Sequence, residues 1–419
     1  MTGLRVELVS EHASPLAAVG RPDAGGQNVH VAELASGLAD LGCAVTVVTR
    51  ADARGLPDRV AMRPGVTVHH VTAGPAASVP KDELWEHMPA FARRLRGRWL
   101  ADPPDVVHAH FWMSGWAALR ARGGLGSRPP LVQTFHALGV VKRRHQGAAD
   151  TSPPVRCDVE SELVRSVDHV VATCRDEVAE LVSLGGDPGR TTVVPCGIDP
   201  RSFRPGGDVS PPRDGRRRRI VVVSRLVRRK GIDEVIAALP DLPDTELLVA
   251  GGPPAGQLAV DGEARRLRDL ARRLGVADRV RLLGAVGRAD VPALLRSADL
   301  VACVPWYEPF GIVPVEAMAC GVPVVGSAVG GLLDTVDDRR TGVLVPPRDP
   351  GAVTAAAAHL FDNPSLRLHM GAEAAARARE QFAWASVARA TLDVYEALAA
   401  APARRGALAV PADGWAVPA

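Results

Sequence analysis

Residues 219–231 read RIVVVSRLVRRKG. The run from Ile220 to Val223 has no polar alternation. Such a run suits a strand buried on both faces, and strands of that kind belong to parallel sheets covered by helices. The residues that follow turn toward a helical pattern. Arg225 and Lys230 stand five apart in this strand-to-helix connection. Both can reach one anion if the loop folds over it: Arg grips two oxygens through its planar fork, and Lys acts as a point charge.

The same unit recurs along the chain. LRVELVS (4–10), AVTVVT (44–49), DVVHAH (105–110), LVQTFH (131–136), HVVATC (169–174) and TVVPCG (192–197) form one set. RIVVVSRL (219–226), ELLVAGG (246–252), VRLLGA (280–285), LVACVP (300–305), PVVGS (323–327) and GVLVP (342–346) form another. Each run is followed by a helical pattern, so the fold class is α/β, with two doubly wound halves. Between the sets lies RPGGDVSPPRDGRRRR (204–219), rich in Pro, Gly and charge as a linker should be. The expected domains are 1–205 and 219–380, with a linker over 206–218. An amphipathic helix is expected over 381–400, with Phe382, Val387, Leu392, Val394, Tyr395 and Leu398 available for packing. The Ala/Pro/Gly-rich tail 401–419 is expected to be disordered. A cleft between two α/β domains is the default ligand site.

Composition excludes several classes. The chain has 419 residues, too many for one core, and a formal net charge of +3, too mild to argue for nucleic acid. The run Arg216–Arg219 has no interleaved aromatic and leads straight into a strand, as a solvated linker would. The six cysteines form no CxxC pair, which argues against a disulfide framework and a zinc site, and for reduced thiols. The N-terminus has no apolar signal-peptide core, and the apolar window near 311–333 is broken by Pro314, Glu316, Pro323 and glycines. A cytoplasmic protein with no integral membrane segment is expected.

Three further strand-end loops carry candidate chemistry. In PDAGGQNVHVAELASGLADLG (22–42), Gly25 and Gly26 open a helix and let a phosphate or sugar approach backbone amides. This is not the dinucleotide fingerprint, so hydride transfer is weakly supported. In VVHAHFWMSGW (106–116) and LVQTFHALGVVKRRHQG (131–147), His108, His110 and His136 come at or just past strand ends. His108 and His110 can share one side of a strand, but no HExxH or nearby Cys supports a metal. His136 and His110 are read as ligand contacts. Lys142 and Arg143 are either a solvated helix face or a pocket for an anionic acceptor.

The remaining stretch, PWYEPFGIVPVEAMACG (305–321), places Glu308 and Glu316 eight apart in an apolar segment. A buried carboxylate is costly unless it meets a partner. Pro314 suits the first turn of a helix that would contain Glu316. Carboxylates accept paired hydroxyls, while Arg225, Lys230 and a helix N-terminus suit a diphosphate. That combination describes a nucleotide sugar. No Asp-x-Asp triplet is present to hold a diphosphate-bound metal, and fixed cations with helix-terminus amides can do that charge work.

These residues together resemble a known family. Glu308-Pro309-Phe310-Gly311 with Glu316 is similar to the Glu-x7-Glu motif of retaining GT-B glycosyltransferases. GGQNVHVAEL, HAHFW, TFHALG, VPCGID, SRLVRRKG and EAMACGVPVV resemble glycosyltransferase family four. Within it the likeness is greatest to the branch of sucrose-phosphate synthases and of the glycosyltransferase that opens mycothiol synthesis, and it covers about residues 1–395. The resemblance implies the GT-B fold: two Rossmann-like domains facing across a cleft, with the C-terminal helix returning to the first domain.

It also implies roles. Gly25 and Gly26 would lie against the diphosphate and the reacting sugar, and His136 would contact the donor sugar. Arg225 and Lys230 would bind the diphosphate and stabilise the leaving group. Glu308 would touch sugar hydroxyls, with the amides of Phe310, Gly311 and Ile312 nearby, and Glu316 would hold the ribose. The anomeric configuration would be retained by same-face attack, the leaving phosphate oxygen taking the acceptor's proton. No cofactor or metal is required beyond the nucleotide-diphosphate sugar. A UDP-sugar is the first expectation for the donor and GDP-mannose the second. The partners are a small-molecule donor and a small hydroxyl acceptor such as a sugar or cyclitol phosphate, with a homodimer allowed and no nucleic acid. An epimerase or phosphorylase of the same fold, and a non-catalytic sugar-nucleotide-binding protein, stay open.

Overall fold

The computed structural model describes residues 3–17, 26–147, 150–212 and 217–401. The chain divides into two compact units, Met1–Pro195 with Trp384–Ala419, and Cys196–Ala383. The expected disordered tail lies, but for Ala401, outside the described residues.

Among the described residues, the first unit carries strands β1 (Arg5–Val9), β2 (Ala44–Arg50), β3 (Arg59–Arg63), β4 (Val66–Val71), β5 (Val106–His110), β6 (Leu131–Thr134), β7 (His169–Ala172) and β8 (Thr191–Val193). Their order is β3-β4-β2-β1-β5-β6-β7-β8. All pair in parallel except β3, which runs antiparallel to β4 at the edge. The sequence reading missed β3 and β4. They lie on and next to an edge and alternate polar with apolar residues, so a search for unbroken aliphatic runs passes over them.

The second unit carries β9 (Arg218–Val223), β10 (Thr245–Ala250), β11 (Val280–Gly284), β12 (Leu300–Cys303), β13 (Val324–Ser327) and β14 (Gly342–Val345). They form a wholly parallel sheet in the order β11-β10-β9-β12-β13-β14. Both sheets are mixed into α/β layers, with helices burying Val- and Leu-rich faces. Strand order reverses at β1 in the first sheet and between β9 and β12 in the second. Ligands bind at the carboxyl ends of strands flanking such reversals.

The Pro/Gly-rich stretch expected to link the domains packs, where described, within the second unit. Arg219 donates to the carbonyls of Pro211 (2.7 Å) and Pro212 (3.2 Å), and Arg296 to that of Asp208 (2.8 Å). Prolines cannot extend a sheet, but their carbonyls are free to accept, and buried or half-buried guanidinia collect them.

The last helix runs Trp384–Ala400 and belongs to the first unit. Its residues Trp384, Val387, Leu392 and Tyr395 join Val31, Leu34 and Leu38 of the helix Gly26–Asp40 in one core. The two helices approach closely at Gly37, where an added Cβ would sit 2.6 Å from that of Ala388. Phe382, expected within this helix, lies before its start and packs edge-on against Phe310 in the second unit. Among the described residues, no helix is long and apolar enough to cross a membrane.

Buried polar groups tie the last helix to the strands. The Tyr395 hydroxyl meets His108 Nδ1 at 2.6 Å, His108 Nε2 meets Thr134 Oγ1 at 2.9 Å, and Thr134 donates to the Val171 carbonyl at 2.9 Å. Removing one end leaves a buried imidazole nitrogen unmatched, which costs about 1–3 kcal/mol. Tyr395→Phe should therefore destabilise the first unit by about that amount, read as a lower denaturant midpoint in its unfolding transition. An unchanged midpoint would show that the chain of hydrogen bonds carries no net stability.

Candidate active site

In the second unit, the site is built by the loops that leave β9 and β12. The β9 loop passes through Arg225 to the short turn Arg228–Lys230 and on to Gly231. Gly231 has φ +65°, and a Cβ there would lie 2.0 Å from the Val304 carbonyl oxygen. Only glycine lets the two loops come this close. The Trp306 amide then donates to the Arg229 carbonyl at 2.8 Å. With the loops locked together, Lys230 Nζ donates to the Glu308 carboxylate, each side chain 16% exposed.

Positive charge gathers at this strand end. Arg225 is exposed, and Arg229 is held close to it; burial, then the Arg225 charge, lowers the pKa of the Arg229 guanidinium. Four cations within six residues, Arg225, Arg228, Arg229 and Lys230, suit a polyanion more than a single carboxylate.

Glu316 is placed differently from Glu308. It lies in the helix Ile312–Ala319 and is 1% exposed. Arg288, from the loop after β11, donates to it and also lies over the Phe203 ring at 4.7 Å. On balance the Glu316 carboxyl is raised, because burial outweighs the opposing pull of Arg288. Each glutamate of the 305–321 stretch is thus met by a cation from another strand end. Phe310 is buried, Gly311 precedes the helix at φ +90°, and Ile312 opens it. The first amides of that helix have no intrahelical acceptor, as at any helix start.

In the first unit, the loops after β1, β5 and β6 converge. His110 ends β5, and its Nδ1 lies 3.0 Å from His136 Nε2. His108 and His110 share a side of β5, their rings 4.2 Å apart. His136 holds a left-handed conformation, φ 59°, just past β6. His30, four residues into the helix Gly26–Asp40, approaches both rings at 5.5 and 4.9 Å. Burial pushes the His30 imidazole down to about 4, and it keeps His108, His110 and His136 well below their usual range, so all four are neutral near pH 7. Gly26 opens its helix, and the neighbouring Gln27 side chain donates to Ser10 Oγ (3.3 Å) and the His110 carbonyl (3.4 Å), fixing the helix start to β1 and β5. Gly25 lies outside the described residues.

The basic segment after His136 divides. Lys142 pairs with Asp150 at 2.8 Å and donates to Ser152 at 2.8 Å. Burial raises the Asp150 carboxyl, but hydrogen bonds from Lys142 and Ser152 outweigh it and bring it down to about 2. Arg143 is exposed. Two cations that the sequence did not single out flank the Phe111 ring: Lys81 Nζ at 5.3 Å and the Arg156 guanidinium at 5.1 Å.

Arg156 is itself buried. It donates to Glu160 (2.7 Å) and to the Ala137 carbonyl (2.6 Å), while Glu160 accepts from the Gly139 amide (2.7 Å). The pair therefore holds the backbone that follows His136. Glu11 and His12, just past β1, also went unnoticed: His12 Nδ1 lies 2.7 Å from the buried Glu11 carboxylate and its ring 5.0 Å from Phe111. Arg288 and His12 follow strand ends, the same rule that picked out Arg225 and His136. Lys81 and Arg156 follow no such rule, since they arrive from a short helical turn and a helix start.

Two doubly wound α/β units with parallel sheets are the architecture of the GT-B class of glycosyltransferases. Residues 208–377 match the family described as Glycosyl transferases group 1, and residues 24–202 match Glycosyltransferase Family 4. The chain belongs to this family and is a glycosyltransferase. It is 38% identical over 410 residues to D-inositol 3-phosphate glycosyltransferase 2 of Catenulispora acidiphila, covering 93% of this chain and 94% of that one. It is 39% identical over 408 residues to the D-inositol 3-phosphate glycosyltransferase of Kribbella flavida, covering 93% and 95%. Among solved structures, sucrose-phosphate synthase from Thermosynechococcus elongatus superposes with a TM-score of 0.83 at 31% identity, over 94% of this chain and 99% of that one.

Arg156→Met should leave Glu160 buried without its cation. Breaking such a pair costs about 3–5 kcal/mol, whereas replacing both partners with apolar residues costs far less. Urea unfolding of Arg156→Met, Glu160→Leu and the double variant tests this. A double variant no more stable than Arg156→Met alone would contradict it.

Proposed function

We propose that this protein is a retaining glycosyltransferase that moves a hexosyl group from a nucleoside diphosphate sugar to a hydroxyl of a small phosphorylated acceptor. The observation that carries the reading is the meeting of Lys230 and Glu308 at the reversal of the second sheet, with Arg225 and Arg229 beside them. A UDP-sugar is the first donor and GDP-mannose the second. An inositol phosphate is the leading acceptor, because relatives 38–39% identical over 93% of the chain are named for that substrate.

Arg225 and Lys230 bind the diphosphate, helped by the amides of Phe310, Gly311 and Ile312 at the helix start. Gly25 and Gly26 let the diphosphate and sugar lie close to the backbone. The carboxylate of Glu308 accepts from sugar hydroxyls, and that of Glu316, oriented by Arg288, accepts from the ribose. His136 contacts the transferred sugar, and His110 fixes it through their hydrogen bond. Lys142 and Arg143, with Lys81, draw the acceptor's phosphate toward the first unit.

The acceptor hydroxyl attacks the anomeric carbon from the face the leaving group departs. The bond from carbon to phosphate oxygen breaks, the new glycosidic bond forms, and the leaving phosphate oxygen takes the acceptor's proton. No side chain becomes a covalent nucleophile. The cations' task is to stabilise charge that builds on the departing diphosphate, and no metal ion is needed for it.

A donor screen by thermal shift without added metal tests the assignment first. A nucleotide sugar at ~100 times its dissociation constant stabilises by roughly 2.7 kcal/mol. The shift should appear with UDP-sugars and vanish in Glu316→Ala. Loss of a single charge-stabilising donor costs about 10²–10³-fold in turnover, so Arg225→Ala should lower kcat by that factor with a smaller change in KM. An Arg225→Ala enzyme with unchanged turnover would sink the electrostatic mechanism, and a product of inverted anomeric configuration would sink retention.

A further inference from the structure

His30, His110 and His136 offer nitrogen atoms that all lie within 4.8 Å of one another. They come from three separate elements: the helix Gly26–Asp40, the end of β5 and the turn after β6. No spacing in the sequence announces them as a group. Two of their nitrogens, His30 Nδ1 and His110 Nε2, are fully buried and have no hydrogen-bond partner among the described residues. Unmatched buried polar atoms are uncommon and ask for a reason.

The donor set narrows what could supply one. It consists of imidazoles alone, each offering one ring nitrogen to the cluster. Hard ions such as magnesium and calcium select oxygen ligands. Zinc, cobalt, nickel and copper select imidazole. Three histidines and one open position make the donor set of an accessible zinc centre, with Zn–N bonds of about 2.0–2.1 Å. Tetrahedral nitrogens then stand about 3.4 Å apart. Closing the longest gap takes at most about 1.4 Å, shared between two side chains. His30 and His110 are buried while His136 is half-buried, so the cluster is open on the His136 side, where a fourth ligand can enter.

We propose that His30, His110 and His136 form a binding site for a zinc-class divalent ion, and that an ion held there excludes the transferred sugar from His136. The first half rests on the cluster itself; the second rests on the placement of His136 at the sugar. The ion takes no part in transfer. It occupies the ground the sugar needs, which makes the site an inhibitory one.

Cobalt(II) is the probe, because four- and five-coordinate cobalt absorbs visible light far more strongly than the hydrated ion. The full-length, tag-free protein is stripped with chelator and titrated with cobalt, then with zinc. The expected result is one intense visible band, saturating at one cobalt per chain, bleached by zinc, untouched by magnesium and accompanied by a rise in Tm. The band should be lost in His30→Phe and in His136→Asn; the second variant sits at the open edge and keeps the test valid if the first fails to fold. It should persist when the exposed His359 and His369 are changed to Gln. No band, or a band that survives both cluster variants, overturns the site. A band in the native protein together with unchanged donor binding in saturating zinc overturns the exclusion and leaves the assignment of the enzyme's activity standing.

Discussion

The ion pair between Lys230 and Glu308 is the contact on which the arrangement of the second unit's strand-end loops depends. Its partners come from the two strands that flank the reversal of strand order, so forming it sets the relative position of two loops. Gly231 makes the approach sterically allowed, and the Trp306 amide fixes it by bonding to the Arg229 carbonyl. A pair this far from water is not a large source of stability, because desolvation offsets most of the attraction. Its value is geometric. It presents a lysine and a carboxylate at a defined spacing, with Arg225 and Arg229 alongside, before any ligand arrives.

The Glu316–Arg288 pair obeys the same constraint in a harsher setting. Glu316 is more deeply buried than Glu308, and burial favours its neutral form. Arg288 keeps the charged form accessible and stacks its own guanidinium on Phe203. A carboxylate poised in this way can exchange one hydrogen-bonding partner for another without being left alone in the core.

The first unit reaches a comparable result by other means. There the ends of β5 and β6 carry neutral histidines, and the Arg156–Glu160 pair stands one layer behind them. Arg156 and Glu160 neutralise each other while gripping the backbone of residues 137–139, so the left-handed turn at His136 is held from behind. His108 is satisfied on both nitrogens and packs its ring, 4.2 Å away, against that of His110, which makes it a structural histidine that stiffens its neighbour. Residues of one type, two apart on one strand, thus meet different partners: His108 the last helix, His110 the turn at His136.

The sequence by itself determined the parallel sheets, because strands buried on both faces are rich in aliphatic residues without polar alternation, and twelve such runs stand out. It also determined the four strand-end loops, since reversal loops in these sheets are where backbone glycines and cations collect. It passed over the edge strand β3 and its neighbour β4, whose alternation is that of half-exposed strands, and it put Phe382 inside the last helix, which starts at Trp384, because an apolar residue next to a helix carries no label for the core it enters. Only the tertiary structure decided which cation meets which carboxylate. Arg288 and Glu316 are 28 residues apart and Lys230 and Glu308 are 78 apart. Pairing over such distances is fixed by strand order, which no local pattern encodes. The grouping of His30 with His110 and His136 was likewise decided by packing alone, where one turn of a helix passes over the ends of two strands.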